Sequence, residues 1–216
     1  VSLCIKLFEM SQVMAKRVIM AFALFILSFL TVLSWEFDYF SWDVTLLRAI
    51  QSAEIAPLDS FLLWLSWLGT GWVPWILAVL TGLVVLLSSP SLRQWVVVFW
   101  IGLGAGALTM GLTKTLIARP RPSLPVVQVL VEYPGFSYPS GHVIFFVQYF
   151  GFLFILVCGL TARRALRGAA LVLFCLPIAS VGYSRVFVGA HWPSDIIGGY
   201  LFGGVMLALM VWAHRR

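Results

Sequence analysis

Three short clusters hold most of the residues in this chain that could do chemistry. The first, Lys114-Thr-Leu-Ile-Ala-Arg119-Pro120-Arg121-Pro122, gathers three cations. Proline disfavours a helix running through Arg119, so Lys114 belongs to the last turns of a helix and Arg121 projects from extended chain. Cations meeting at one edge can neutralise an anion, although Lys and Arg also snorkel toward a membrane surface with no further purpose. The second cluster is Tyr138-Pro139-Ser140-Gly141-His142. Ser140 suits a helix N-cap, the amides that follow would face a ligand at the positive end of a helix, and Gly141 lets the backbone approach closely. The same residues also make an ordinary helix start with a solvent-facing histidine. The third is Ser184-Arg185 followed by His191-Trp192-Pro193-Ser194-Asp195. Pro193 fits a first helical turn, which puts His191 just before the helix and Asp195 inside it, where the carboxylate can orient the imidazole and stabilise an imidazolium. An acidic residue amid apolar sequence is costly unless paired.

The elements that must position these clusters are membrane helices. Hydrophobic residues make up 62% of the 216-residue chain and charged ones only 10%, more apolar surface than a soluble core can bury. A hydrocarbon core about 30 Å thick needs roughly 20 apolar residues per helix. Six such runs are expected, at Val18 to Trp35, Phe61 to Leu87, Trp95 to Leu116, Val143 to Leu160, Ala169 to Val186 and Ile196 to Ala213. The second is overlong and interrupted by Gly69, Gly71 and Pro74, so Asp59 to Leu68 is expected to lie at the interface and the remainder to cross. Between the first and second runs, Asp43 is a candidate N-cap for a surface helix carrying Val44, Leu46, Leu47 and Ile50. Gly102 with Gly106 and Gly199 with Gly203 are spaced for close helix contact. The fold class is therefore all-α, a polytopic helical bundle forming one domain over 1–216, its motif-bearing core at 114–195.

The net charge of +6 is a topology signal, with no implication of nucleic acid. Lys6, Lys16, Arg17, Arg93, Arg163, Arg164, Arg167, Arg215 and Arg216 fall on one side of the expected bundle. Arg48, Lys114, Arg119, Arg121 and Arg185 fall on the other. The positive-inside rule then puts both termini in the cytoplasm and the three clusters outside, in a multi-pass protein expected in a bacterial cell membrane. Met14 reads as a translation start, and residues 1–13 are expected to carry little structure. Cys4, Cys158 and Cys175 are odd in number and suggest neither a disulfide framework nor a metal site.

Taken together, Lys-x6-Arg-Pro, Pro-Ser-Gly-His and Ser-Arg-x5-His-x3-Asp, present in order and on one expected side, resemble the signature of the type 2 phosphatidic acid phosphatase superfamily. That superfamily includes lipid phosphate phosphatases and is related to vanadium haloperoxidases. The spacing selects Arg121 and leaves Arg119 an accessory cation; Val143 stands where many members carry a smaller residue. The resemblance implies that Lys114, Arg121 and Arg185 bind phosphate oxygens, with Ser140 and the amides of Ser140 and Gly141 completing the cradle. It implies that His191, oriented by Asp195, attacks phosphorus, and that His142 protonates the leaving oxygen and then activates water. Neither a metal nor any other cofactor is expected, because three fixed cations supply the charge. The implied partner is a lipid phosphate or diphosphate within the membrane: undecaprenyl diphosphate, phosphatidylglycerophosphate or phosphatidic acid. Oligomeric state is left open. The stretch from Gly135 to Tyr138 and the loop around Glu132 are expected at the entrance. Two other activities fit less closely. A phosphotransferase would pass phosphate to an alcohol, and a transporter or flippase would place its site nearer the bilayer midplane.

Overall fold

A computed structural model describes the backbone of residues 2–53 and 56–215, and the side chains of 14, 15, 17–53 and 60–215. Cys4, Lys6, Lys16 and Arg216, which enter the reading of cysteines and charge, lie outside the described side chains. The regular elements of the described chain are all helices, without a strand. In order these are α1 (Ser2–Glu36), α2 (Ser41–Gln51), α3 (Ala56–Leu68), α4 (Val73–Ser88), a 3-10 turn (Pro90–Leu92), α5 (Arg93–Ile117), α6 (Gly141–Leu160), α7 (Arg164–Phe187) and α8 (Pro193–His214).

Among the described residues five helices are long and apolar enough to cross a membrane, and α3 with α4 would make a sixth if the bent pair is one span. The protein is an integral membrane protein. Its α1 is helical from Ser2, through residues expected to carry little structure, while the part fit to cross begins at Arg17. A helix already nucleated in lipid propagates outward at little cost. The axes of α3 and α4 differ by 69°. The break falls where Gly71 takes a positive φ of 60° and Pro74 follows near the start of α4.

At the centre stands α6, packed on α5, α7 and α8, with half of its crossing buried against protein, whereas only 6% of α1's is. Both glycine pairs are contact surfaces. A methyl on Gly102 or Gly106 would meet Met210 or Gln148, and one on Gly199 or Gly203 would meet Val143 or Val147. Removing side-chain bulk lets van der Waals packing hold helices together where lipid offers no hydrophobic drive. Val143 is fully buried against Gly199, so it fills the α6–α8 contact and does not shape the cavity. Outward faces carry exposed apolar residues such as Leu108, Leu116, Val172 and Leu173, as lipid contact requires.

One expectation about a cap is corrected. The N-cap of α2 is Phe40, and Asp43 sits at the third helical position, reaching back to accept the Phe40 amide at 3.1 Å. The carboxylate is fully buried. It faces inward because α2 docks on α7 and α8, where Ser194 of α8 and Arg119 from the loop after α5 both donate to it.

Candidate active site

Four helix ends and the loop 118–140 converge at one end of the bundle. Lys114 lies in the last turn of α5, which stops at Ala118 in a left-handed conformation (φ 53°) before Pro120. Its ammonium donates to the carbonyls of Phe136 and Ser137 at 2.7 and 3.0 Å. Arg121 projects from the following extended segment as expected. Its guanidinium donates to Ala190 O at 2.7 Å and Gly135 O at 3.1 Å and meets His191 Nε2 at 3.3 Å. Burial, with Arg185 nearby, lowers the Arg121 pKa to about 10, so it remains charged at neutral pH.

Arg185, near the end of α7, is fully buried and lies over the Tyr133 ring at 4.2 Å. Its Nη1 donates to Tyr133 Oη at 3.0 Å and to Ser66 Oγ. Nε and Nη2 have no protein partner, and neither does the buried Ser140 Oγ. Ser140 occupies the N-cap position of α6 as expected, but its hydroxyl caps nothing. Its amide, expected in the phosphate cradle, donates instead to Asp195 O at 3.2 Å. Of the groups expected in the cradle, Gly141 and the three cations line the cavity, and the Ser140 hydroxyl is buried without a partner.

His191 precedes α8 and is 2% exposed. An arginine can only donate, so Nε2 facing Arg121 must accept, and the ring proton lies on Nδ1. That nitrogen faces Asp195 Oδ2 at 3.5 Å, an ion-pair separation longer than a hydrogen bond. Such contacts commonly tighten when substrate binds. Burial first, then the charges of Lys114, Arg121 and Arg185, hold the His191 pKa well below its usual value, leaving a neutral imidazole with a lone pair on Nε2.

His142, in the first turn of α6, is held differently. Its Nε2 lies 3.0 Å from the carbonyl of Ser66, which can only accept, so Nε2 carries a proton and Nδ1 is the nitrogen left to take up or give one. Thr70 Oγ1 lies 3.2 Å from the same nitrogen. Gly69 leaves room for the ring, since a Cβ there would overlap it. The fixing partner of this histidine is therefore a backbone carbonyl at the bent α3–α4 corner, and no residue type or spacing signals Ser66 or Thr70 in advance. Gly69 showed as an interruption of the second run, without its function being visible. Tyr133 was likewise not singled out.

Between these groups a cavity of about 260 Å³ runs down from the two histidines, walled by Trp75, Leu103, Ala107, Met110, Ile144 and Phe145. Tyr133, Lys114, Arg121 and Arg185 line its polar end. The expectation for Gly135 to Tyr138 changes. Gly135, Phe136 and Ser137 serve as carbonyl acceptors for the cations, and Tyr138 is buried with its hydroxyl 3.0 Å from Thr31 Oγ1. Glu132 lines a neighbouring pocket that shares Arg121 and Tyr133 with this cavity. Arg119, expected as an accessory cation, is fully buried and paired to Asp43 and Asp195, away from the cavity. Among the described residues no group of three or more His, Cys, Asp or Glu side chains is placed to hold a metal ion.

The chain is similar to decaprenylphosphoryl-5-phosphoribose phosphatase of Mycobacterium tuberculosis, 28% identical over 177 residues, 78% of this chain and 88% of that protein. It is similar to undecaprenyl-diphosphatase of Sulfolobus acidocaldarius, 29% identical over 173 residues, 79% of this chain and 77% of that protein. In structure it resembles a transmembrane PAP2-type phosphatidylglycerolphosphate phosphatase from Bacillus subtilis, with a TM-score of 0.75 at 20% identity, covering 89% of this chain and 94% of that one. The model of the PAP2 superfamily matches residues 95–216, more than half of the sequence and all three clusters. This membrane protein, a phosphoric ester hydrolase, belongs to the PAP2 superfamily.

Proposed function

We propose that the enzyme hydrolyses the terminal phosphate of a lipid phosphomonoester or diphosphate through a phosphohistidine on His191, without a metal ion. The observation that carries this reading is the set of buried donors lacking partners, Arg185 Nε and Nη2 and Ser140 Oγ, beside a histidine whose Nε2 bears a lone pair. Unpaired buried donors are costly, and a phosphate's oxygens satisfy them together.

In the first step His191 Nε2 attacks the terminal phosphorus in line, and the bond from that phosphorus to the leaving oxygen breaks, releasing the lipid alcohol from a monoester or the lipid monophosphate from a diphosphate. His142, protonated on both nitrogens, gives its Nδ1 proton to that oxygen while Nε2–H stays on Ser66 O. In the second step Nδ1 takes a proton from water, the water oxygen attacks phosphorus, and the P–N bond breaks to return the electron pair to Nε2. Inorganic phosphate leaves. Lys114, Arg121 and Arg185 neutralise the charge on the equatorial oxygens throughout, and Asp195 stabilises the positive charge on His191.

The apolar wall below the histidines suits a lipid chain whose headgroup rises to the cations. With the basic loops on the cytoplasmic side, the site opens outward and both termini lie in the cytoplasm. A panel containing undecaprenyl diphosphate, decaprenylphosphoryl-5-phosphoribose, phosphatidylglycerophosphate and phosphatidic acid, read by phosphate release, tests the function. Release from at least one is expected. Phosphate appearing on an added alcohol, with none free, would replace hydrolysis by phosphotransfer. Protein-dependent movement of lipid without cleavage would point to a transporter, although every cluster here lies at helix ends.

A further inference from the structure

The buried ion pair of Arg119 has no part in the steps above, yet it ends on the carboxylate that faces the nucleophile. Arg119 Nη1 donates to Asp195 Oδ1 at 2.6 Å and to Ser194 Oγ at 2.7 Å. Nη2 donates to Asp43 Oδ2 at 3.1 Å, and Nε to the carbonyl of Asp38 at 3.1 Å. The guanidinium also lies 5.0 Å from the centre of the Phe40 ring. Asp43 is held in turn: Oδ1 accepts the Ser194 amide at 2.8 Å and Oδ2 accepts the Ser194 hydroxyl at 2.7 Å. All three charged side chains are fully buried.

This arrangement fixes one degree of freedom that matters for catalysis. A carboxylate turns about its last single bond unless both oxygens are engaged. Arg119 occupies Oδ1, so Oδ2, held by the Trp192 amide at 2.9 Å, is the oxygen left for His191 Nδ1. Charge points the same way. At formal charges one guanidinium between two carboxylates leaves a surplus of one negative charge, which the imidazolium forming on His191 would cancel. Burying three charges is costly in a helix bundle, and removing one partner strands the others. Asp43 belongs to α2, so this surface helix is joined to the catalytic carboxylate.

We propose that Arg119 and Asp43 are positioning residues for the nucleophile: they clamp Asp195 so that Oδ2 stays on His191 Nδ1. The proposal rests on His191 acting through Asp195, and its test separates the two ideas. Asp43→Asn and Arg119→Lys are made alone and combined with Asp195→Asn, in the full chain in detergent, and assayed on undecaprenyl diphosphate micelles. With Asp195 intact each variant lowers kcat roughly ten- to hundredfold, as loss of an orienting outer partner does, while KM stays within about threefold because the phosphate cradle is untouched. In the Asp195→Asn background neither change costs more than about twofold further, because its effect passes through the group already neutralised. Equal losses in both backgrounds, a change confined to KM, or failure of both single variants to elute as the wild-type species would assign the pair to folding and overturn the proposal. Wild-type turnover by His191→Ala would instead be a failure of the phosphohistidine reading.

Discussion

Replacing Gly69 by alanine tests how tightly His142, the proposed acid and base, is held. The added Cβ would stand 2.9 Å from both Cγ and Nε2 of His142, and closer still to Cδ2. Ordinary carbon contacts lie near 3.5–4.0 Å, so the ring must retreat by about 1 Å, breaking its 3.0 Å contact with Ser66 O. Misplacement of a catalytic group by about 1 Å costs on the order of 100-fold in rate, which corresponds to about 2.7 kcal/mol of barrier. The retreat moves Nδ1 away from the leaving oxygen, but Lys114, Arg121, Arg185 and Ser140 keep their places. Steady-state phosphate release should therefore show kcat lowered about 100-fold with KM changed by less than about threefold. A substrate with a good leaving group, which needs little protonation, should recover much of the first step and accumulate phosphoenzyme, because water attack still lacks its base. Activity of Gly69→Ala within about threefold of wild type would refute the placement of His142 against this corner.

Other consequences are read more simply. Because burial and three cations lower the His191 pKa, and the neutral ring is the reactive form, the acid limb of kcat/KM belonging to this group should lie below pH 6.5. Arg121→Met removes one of those cations, so the limb should move toward higher pH; an unmoved or lowered limb in the pH–rate profile would contradict the cause assigned. Hydrolysis should survive EDTA, and vanadate should inhibit by occupying the cradle as a mimic of the five-coordinate transition state. Activity abolished by EDTA and restored by a divalent ion would overturn metal-independence. A cysteine placed at Arg164 should be labelled only from the cytoplasmic side, and labelling from outside alone would invert the topology.

The membrane helices and the eight motif residues were legible because their signals are local. Apolar runs of spanning length mark helices, and the motif residues lie a few positions apart at helix ends, where Pro120, Gly141 and Pro193 mark the boundaries. What could not be read comes from contacts distant in sequence. Ser66 and Thr70 reach His142 across 76 and 72 positions, and neither side-chain type announces a role as a histidine's partner. Asp43 looked like a cap because Asp often caps, but a fully buried carboxylate 76 positions from Arg119 and 151 from Ser194 is determined by docking between distant segments. Arg119 looked accessory because the adjacent Arg-Pro has the motif spacing. Its side chain turns to the two carboxylates while Arg121, two residues on, turns to the cavity. The Ser140 amide could not be assigned either, since its acceptor is the carbonyl of a residue on another helix.

Trapping the phosphoenzyme tests the central claim most directly. Enzyme carrying His142→Ala is mixed with a phosphate-labelled lipid bearing a good leaving group, quenched in base, and its phosphorylated peptide located by mass spectrometry. A phosphoryl group on His191, stable in base and lost in acid, is expected, with no label in His191→Ala. Asp195→Asn should give an intermediate yield, its nucleophile less well oriented but still present. Label found on His142, or an equal yield from His191→Ala, would contradict the assignment of the two histidines and the covalent route through His191.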